Sequence, residues 1–217
     1  MVFKSEFWQY VGPALLISMG ALDPGNISGD IAVGQKSGYR LLWLLVVTST
    51  LYYLYQSLAI KLGIYSGKDI ASLCKLNYSS RWNVFLWLMA EIALLAADTQ
   101  EVLGTAIALN LLFGFDIWIG VFISLILAFG ILHSHATYGQ RYFEGIFGAS
   151  IAIMAFCFFI NFFKVEHSVG EIALGFLPFM KVQDLPFAIS LLGAILMPQN
   201  LFLHSALVLT RKEIAKK

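Results

Sequence analysis

The sequence predicts an all-α polytopic membrane protein, and three observations predict it. Charged residues make up only 12% of the 217-residue chain, hydrophobic residues make up 59%, and mean hydropathy is +0.78; a soluble domain carries about 25% charged residues. Six stretches are long and apolar enough to span a bilayer, which takes ~20 residues as a helix. Two of the six are interrupted by a proline among polar groups, in ALDPGNISGD at 21–30 and ILMPQNLF at 195–202. The net charge of +1, without a basic cluster interleaved with aromatic rings, gives no sign of a nucleic-acid partner. Cys74 and Cys157 have neither CxxC nor Cys/His spacing, so no disulfide or zinc framework is expected, and Cys157, in an apolar run, is expected simply to pack.

The expected spans, taken in order, are 8–35, 41–63, 83–113, 116–134, 142–163 and 185–210, in a single transmembrane domain covering 1–217. The first is interrupted at Asp23-Pro24-Gly25-Asn26 and the last at Met197-Pro198-Gln199-Asn200. The third carries Glu91, Asp98 and Glu101. Polar or glycine-containing connectors fill 36–40, 64–82, 114–115, 135–141 and 164–184. A cleaved leader over 1–22 is disfavoured, because cleavage near Ala21 would discard half of a segment that continues past Asp23. The basic residues set the orientation. With the N-terminus in the cytoplasm, ten fall inside (Lys4, Lys61, Lys68, Lys75, Arg81, Arg141, Arg211, Lys212, Lys216, Lys217) and four outside (Lys36, Arg40, Lys164, Lys181). Both termini are therefore expected to be cytoplasmic. The sequons at Asn26 and Asn77 then lie at membrane depth and on the cytoplasmic side, where no glycan is added. Trp8, Trp43, Trp82 and Trp118 fall near span ends, as interfacial anchors do.

The interruptions carry the functional signal. Pro24 lacks an N–H and clashes with the preceding turn, and Gly25 weakens the helix further. Backbone groups freed at membrane depth are tolerated only when buried in protein or lining a wet cavity. A proline alone is often a plain kink, but a charge near mid-membrane costs on the order of 2.5–3.5 kcal/mol on insertion scales, and Asp23 sits in the break. Two interrupted helices in corresponding positions are the best sequence pointer to a transporter site. The sixth segment opens a second unit five helices after the first, the pattern of an inverted repeat whose broken helices face each other. Asp23 offers a carboxylate, Asn26 an amide oxygen and Met197 a thioether, while unwound turns offer carbonyls such as those of Gly20 and Ala194. A carboxylate with neutral oxygens suits a divalent cation, and the sulfur tilts the preference from Mg²⁺ and Ca²⁺ toward softer first-row ions.

In the third span Asp98 and Glu101 are spaced i, i+3, and Glu91 lies one heptad before Asp98, so the three share roughly one stripe. Intramembrane carboxylates mark ion or proton pathways, although Glu91 serves equally well as a hydrogen-bonding partner for a neighbouring helix. His204 lies one heptad beyond Met197 and is a candidate for proton exchange or for helix packing.

DPGN at 23–26, AEIALLAADTQEVLGTAIAL at 90–109 and MPQNLFLHSALVL at 197–209 resemble the NRAMP divalent-metal transporters, over essentially the whole chain. The resemblance implies a LeuT-like inverted-repeat fold, present here as the first repeat plus the sixth helix, with helices 1 and 6 broken near mid-membrane. It implies proton-coupled transport of Mn²⁺ or Fe²⁺ toward the cytosol, with the metal as substrate, H⁺ as coupling ion and no resident cofactor. It implies metal ligation by Asp23, Asn26 and Met197, by the Ala194 carbonyl in one conformation and by that of Gly20 in another, and a proton path from Asp23 into Asp98 and Glu101. Two departures stand out. Gln199 occupies the position of the family histidine and cannot titrate near neutral pH. The family core has ten or more helices, so this chain is expected to be truncated relative to it, with a missing C-terminal half or another chain completing the bundle amid membrane lipid. The alternative reading is a metal-binding membrane sensor on the same fold that does not transport. A Mg²⁺-preferring variant is disfavoured by Met197. An enzyme is not expected: neither HExxH nor GxSxG occurs, and His133 and His135 have no acidic neighbour in sequence.

Overall fold

A computed structural model of the chain describes residues 17–18, 23–138 and 140–215. Among these there are helices and no strand. The first part of the expected span 8–35, with Trp8 and Gly20, lies outside the described residues; Ile17 and Ser18 are helical. Helix α1 (Pro24–Ser37) follows Asp23, whose extended backbone and side chain cap it: Asn26 N–H donates to Asp23 Oδ1 at 2.6 Å. Proline at the first helical position needs no N–H there and has its φ already set. The unwinding expected over 23–26 is thus confined to Asp23 on this side, and Gly25 and Asn26 belong to the first turn.

α2 (Leu42–Ser66) and α4 (Ser80–Phe113) end at left-handed Gly67 and Gly114. Between them the expected connector 64–82 folds into a short helix, α3 (Ile70–Asn77), capped by Asp69, which accepts from Ser72 N–H at 2.8 Å and Ser72 Oγ at 2.8 Å. α5 (Ile117–Tyr138) packs on α4, and α6 (Gln140–Lys164) packs on α5. The connector 164–184 holds α7 (Val169–Gly175) and a 3₁₀ turn at Val182–Asp184. The sixth segment is two helices, α8 (Leu185–Ile195) and α9 (Pro198–Ala215). The unwound residues are Leu196 and Met197, not 197–200 as expected, because Pro198 again opens a helix instead of ending one.

Five described helical stretches are long and apolar enough to cross a membrane: Leu42–Ser66, Ser80–Phe113, Ile117–Ser134, Gly145–Lys164 and Val182–Thr210. Cys157 is exposed on α6, not packed as expected; among the described residues α5 is the main helix packed against α6 and leaves much of its circumference open. The Nε1 of Trp43 is buried without a hydrogen-bond partner among the described residues.

Two seams fix the position of α1. Against α4, backbone approaches backbone: a Cβ built on Gly104 would lie 2.6 Å from the Pro24 carbonyl oxygen, and one on Gly25 would lie 2.6 Å from Gln100 Cγ. Small residues let helices approach this closely in lipid, where apolar burial does not drive association. Against α8, α1 runs antiparallel. Ser37 meets Asp184, Val33 packs with Ala188 and Leu191, a Cβ on Gly29 would lie 3.6 Å from Ser190 Oγ, and Asn26 shares a cavity with Ala194.

Candidate cation site

The site grows from the turn that opens α1. Asp23 caps the helix through one carboxylate oxygen, so its side chain is fixed beside the Pro24–Asn26 backbone. Asn26 is buried at 3% exposure, and its Oδ1 receives a 3.4 Å hydrogen bond from Gln100 Nε2 of α4. The Gly25–Gly104 contact makes that reach short enough. Glu101 follows Gln100 on α4. Glu91, Asp98 and Glu101 are all exposed, Glu91 lying further toward the start of α4.

A cavity of about 220 Å³ lies between α1, α2 and α8, lined by Asn26, Asp30, Leu45, Ser49, Tyr52, Ala194 and Ile195. Two expected ligands, Asn26 and Ala194, thus face one space, although 168 residues of sequence number separate them. Met197 is buried and lies in the unwound stretch. It does not line the cavity, and its sulfur receives a 3.4 Å contact from Asn200 Nδ2. The described residues hold no group of three or more His, Cys, Asp and Glu side chains disposed around one metal position. Of the expected ligands among the described residues, only Asn26 and Ala194 line this cavity.

A buried polar chain joins this region to His204. Asn200 Nδ2 donates to Tyr52 Oη at 3.4 Å, Gln56 Nε2 donates to the same oxygen at 2.7 Å, and Gln56 Oε1 meets His204 Nδ1 at 2.7 Å. An amide oxygen only accepts, so Nδ1 carries the proton and Nε2 of the neutral ring is the free acceptor. Tyr52 Oη accepts from both amides, which leaves its own O–H to donate elsewhere, and Tyr52 also lines the cavity. Met197, Asn200, Gln56 and His204 are all nine-tenths or more buried. His204 is therefore a paired, interior side chain joined through α2 to the cavity wall.

Sequence reasoning missed Tyr52, Gln56, Gln100, Gly104 and Asp30. The signal for Gln56 and Gln100 was available, since each is an amide inside an otherwise apolar segment. Gln199 lies in the first turn of α9, and its buried Oε1 has no hydrogen-bond partner among the described residues. It lines a second, mostly apolar cavity of about 680 Å³ with Trp87, Leu94 and Phe202.

Comparison with known proteins agrees with this architecture. Residues 14–217 match the family model described as natural resistance-associated macrophage protein-like. The chain is 43% identical over 209 residues to metal transporter Nramp6 of Arabidopsis thaliana, covering 95% of this chain and 40% of that protein. It is 42% identical over 212 residues to natural resistance-associated macrophage protein 1 of Gallus gallus, covering 95% of this chain and 38% of the relative. Among solved structures, the Eremococcus coleocola manganese transporter in complex with an aromatic bis-isothiourea substituted compound superposes with a TM-score of 0.80 at 33% identity, over 96% of this chain and 44% of that one. A mutant of the same transporter gives 0.77 at 34% identity, over 93% and 42%. The chain thus spans about two fifths of the length of these relatives, and the all-α, LeuT-like fold class expected from the sequence holds over that span. With the DPGN turn, the interrupted sixth segment and the acidic α4 in these positions, the chain belongs to the natural resistance-associated macrophage protein-like (Nramp) family.

Proposed function

We propose that the chain is part of a proton-coupled carrier that moves Mn²⁺ or Fe²⁺ across a membrane toward the cytosol. The supporting observation is the convergence of Asn26 and Ala194 on one cavity, with Asp23 fixed in the same turn as Asn26. Asp23, Asn26 and Met197 ligate the ion by side chain, Ala194 and Gly20 by carbonyl in alternating states, and the unwound stretches lie near mid-membrane. The metal is the substrate, and no resident cofactor takes part. Protons pass from Asp23 through Asp98 and Glu101, with His204 as a further exchange group. The balance of Lys and Arg places both termini in the cytoplasm. The remaining helices of the bundle come from further polypeptide, since an alternating-access carrier needs one bundle to rock against another.

The test is Mn²⁺ binding and uptake in proteoliposomes bearing an inward proton gradient, with Asp23→Ala as control. Binding that Asp23→Ala abolishes is the expected result for the chain itself, and uptake is expected once the bundle is complete. Equal binding by parent and Asp23→Ala sinks the proposal. Binding with no uptake by a completed bundle supports the sensor reading instead.

A further inference from the structure

The antiparallel pair α1–α8 has the cavity at one end and an ion pair at the other. Arg40 Nε donates to Asp184 Oδ2 at 2.9 Å and Arg40 Nη2 to Oδ1 at 2.6 Å, a two-pronged contact. Ser37 Oγ donates to Oδ1 at 2.8 Å, and the Lys181 N–H donates to Oδ2 at 3.1 Å. Every lone-pair direction of the carboxylate is thereby used. Asp184 is 2% exposed and Ser37 fully buried, while Arg40 keeps about a third of its surface open.

Between the two ends the described contacts of α1 on α8 are apolar: Val33 packs with Ala188 and Leu191 in a cluster that also takes in Leu41, Leu44, Phe187 and Ile195, and Gly29 lies beside Ser190. Apolar burial is non-directional and by itself does not single out one position along the seam, where one helical turn is about 5.4 Å. A fork of two parallel charge-assisted bonds does, because it has one geometry. Setting register is the best-attested use of a buried ionic group. Ser37 is eleven positions from Asn26, so the pair acts over roughly 16 Å of helix.

We infer that Arg40 and Asp184 are positioning residues that set the register of α1 against α8, and through it the juxtaposition of Asn26 with Ala194 in the cavity. The inference rests on the proposed cation site for its functional consequence, but its structural half stands separately. Neither residue touches the cation. The pair selects which carbonyl of the sixth segment faces the DPGN turn.

The experiment uses the full chain with spin labels on Ile31→Cys and Ile189→Cys, both exposed positions on the two helices. The inter-label distance distribution and the Mn²⁺ dissociation constant of the folded fraction are measured for the parent, Asp184→Asn, Asp184→Glu and Arg40→Lys. Expected are a narrow distribution in the parent, a broadened or shifted one in Asp184→Asn, Mn²⁺ binding about tenfold weaker in that variant, and recovery of both toward the parent in Asp184→Glu. Arg40→Lys, which keeps the charge but loses the fork, is expected to fall between, and it serves as the probe if Asp184→Asn does not fold. Unchanged distances and affinity in every folded variant, with only lower melting temperature, overturn the inference. If the parent binds no Mn²⁺, the cation site falls, and the distance distributions alone decide whether the pair sets register.

Discussion

The α1–α2–α8–α9 group and the α5–α6 pair differ both in composition, the α5 and α6 spans being the more apolar, and in how they are held. In the most apolar window of α6 no residue is buried, whereas 22% of the window in the sixth segment is. The first region buries Asn26, Ser37, Thr48, Gln56, Asp184, Asn200, His204 and Ser205, and it pairs them across helices far apart in sequence. The α5–α6 pair instead exposes Ile126, Phe129, Phe156 and Phe163. Hydropathy puts a helix in a membrane, but small residues and polar pairs decide which neighbour it takes and in what register.

The contrast is broken most severely at the α1–α4 crossing. Gly104→Leu drives a side chain into the Pro24–Gly25 backbone and is expected to cost about 3 kcal/mol, read as loss of the monodisperse folded peak and a lower melting temperature in detergent. Gly145→Ala, on α6 with open space around it, is expected to leave stability unchanged or raise it by up to about 1 kcal/mol. Equal losses at both positions contradict the comparison.

A smaller effect is expected within the polar chain. Gln56→Leu strips the partner from His204 Nδ1 and one donor from Tyr52, at a cost of roughly 1–3 kcal/mol for the unpaired groups. Gln56→Glu restores an acceptor, so it is expected to recover part of that loss in the same thermal assay. A Gln56→Leu protein as stable as the parent removes the chain as a structural element.

The mildest test lies outside the spans. The Ser72 backbone N–H is the main reason that the Asp69 carboxyl titrates below its usual value of 3.8. A depressed folded value stabilises above the unfolded one, about 3.9, and the benefit is lost as pH falls through the lower folded value. Hydrogen-exchange protection of α3 is therefore expected to be flat from neutral pH to about pH 4 and to weaken below. Asp69→Ala is expected to cost about 1 kcal/mol of local stability at neutral pH and to flatten the acid dependence.

Much of this architecture was legible in the chain. The apolar runs located the five long described helices to within a few residues, and Pro198 flagged the unwound Leu196–Met197, while the far side of the break expected at 23–26 lies outside the described residues. The breaks were placed late because proline was read as a terminator, whereas Pro24 and Pro198 each occupy the first helical position. α3 was missed because eight residues with Lys75 and Asn77 look like a loop by hydropathy. Gly104 was unreadable for a deeper reason: its meaning is the backbone of Pro24 and Gly25 lying against it, and no local pattern encodes that. Arg40 was counted only as a basic residue in a connector and Asp184 was not singled out, since an ion pair across 144 residues of sequence leaves no periodic trace. Asp23 and Asn26 stood out because their chemistry contradicts their surroundings, whereas Ala194 was named for a carbonyl expected in an unwound turn and instead lies in the last turn of α8. Tyr52 and Gln56 sit in LYYLYQSLAI, where amphipathic side chains pass for membrane-interface residues.

The seam between α1 and α8 also orders events in time. Ser37 finds its partner Asp184 only 147 positions later in the chain. At a synthesis rate of about 5–20 residues per second, roughly 7–30 s pass between the two. Through that interval the polar face of the first segment exists without the element that covers it. The nascent chain therefore carries Ser37 without its partner until the sixth segment arrives.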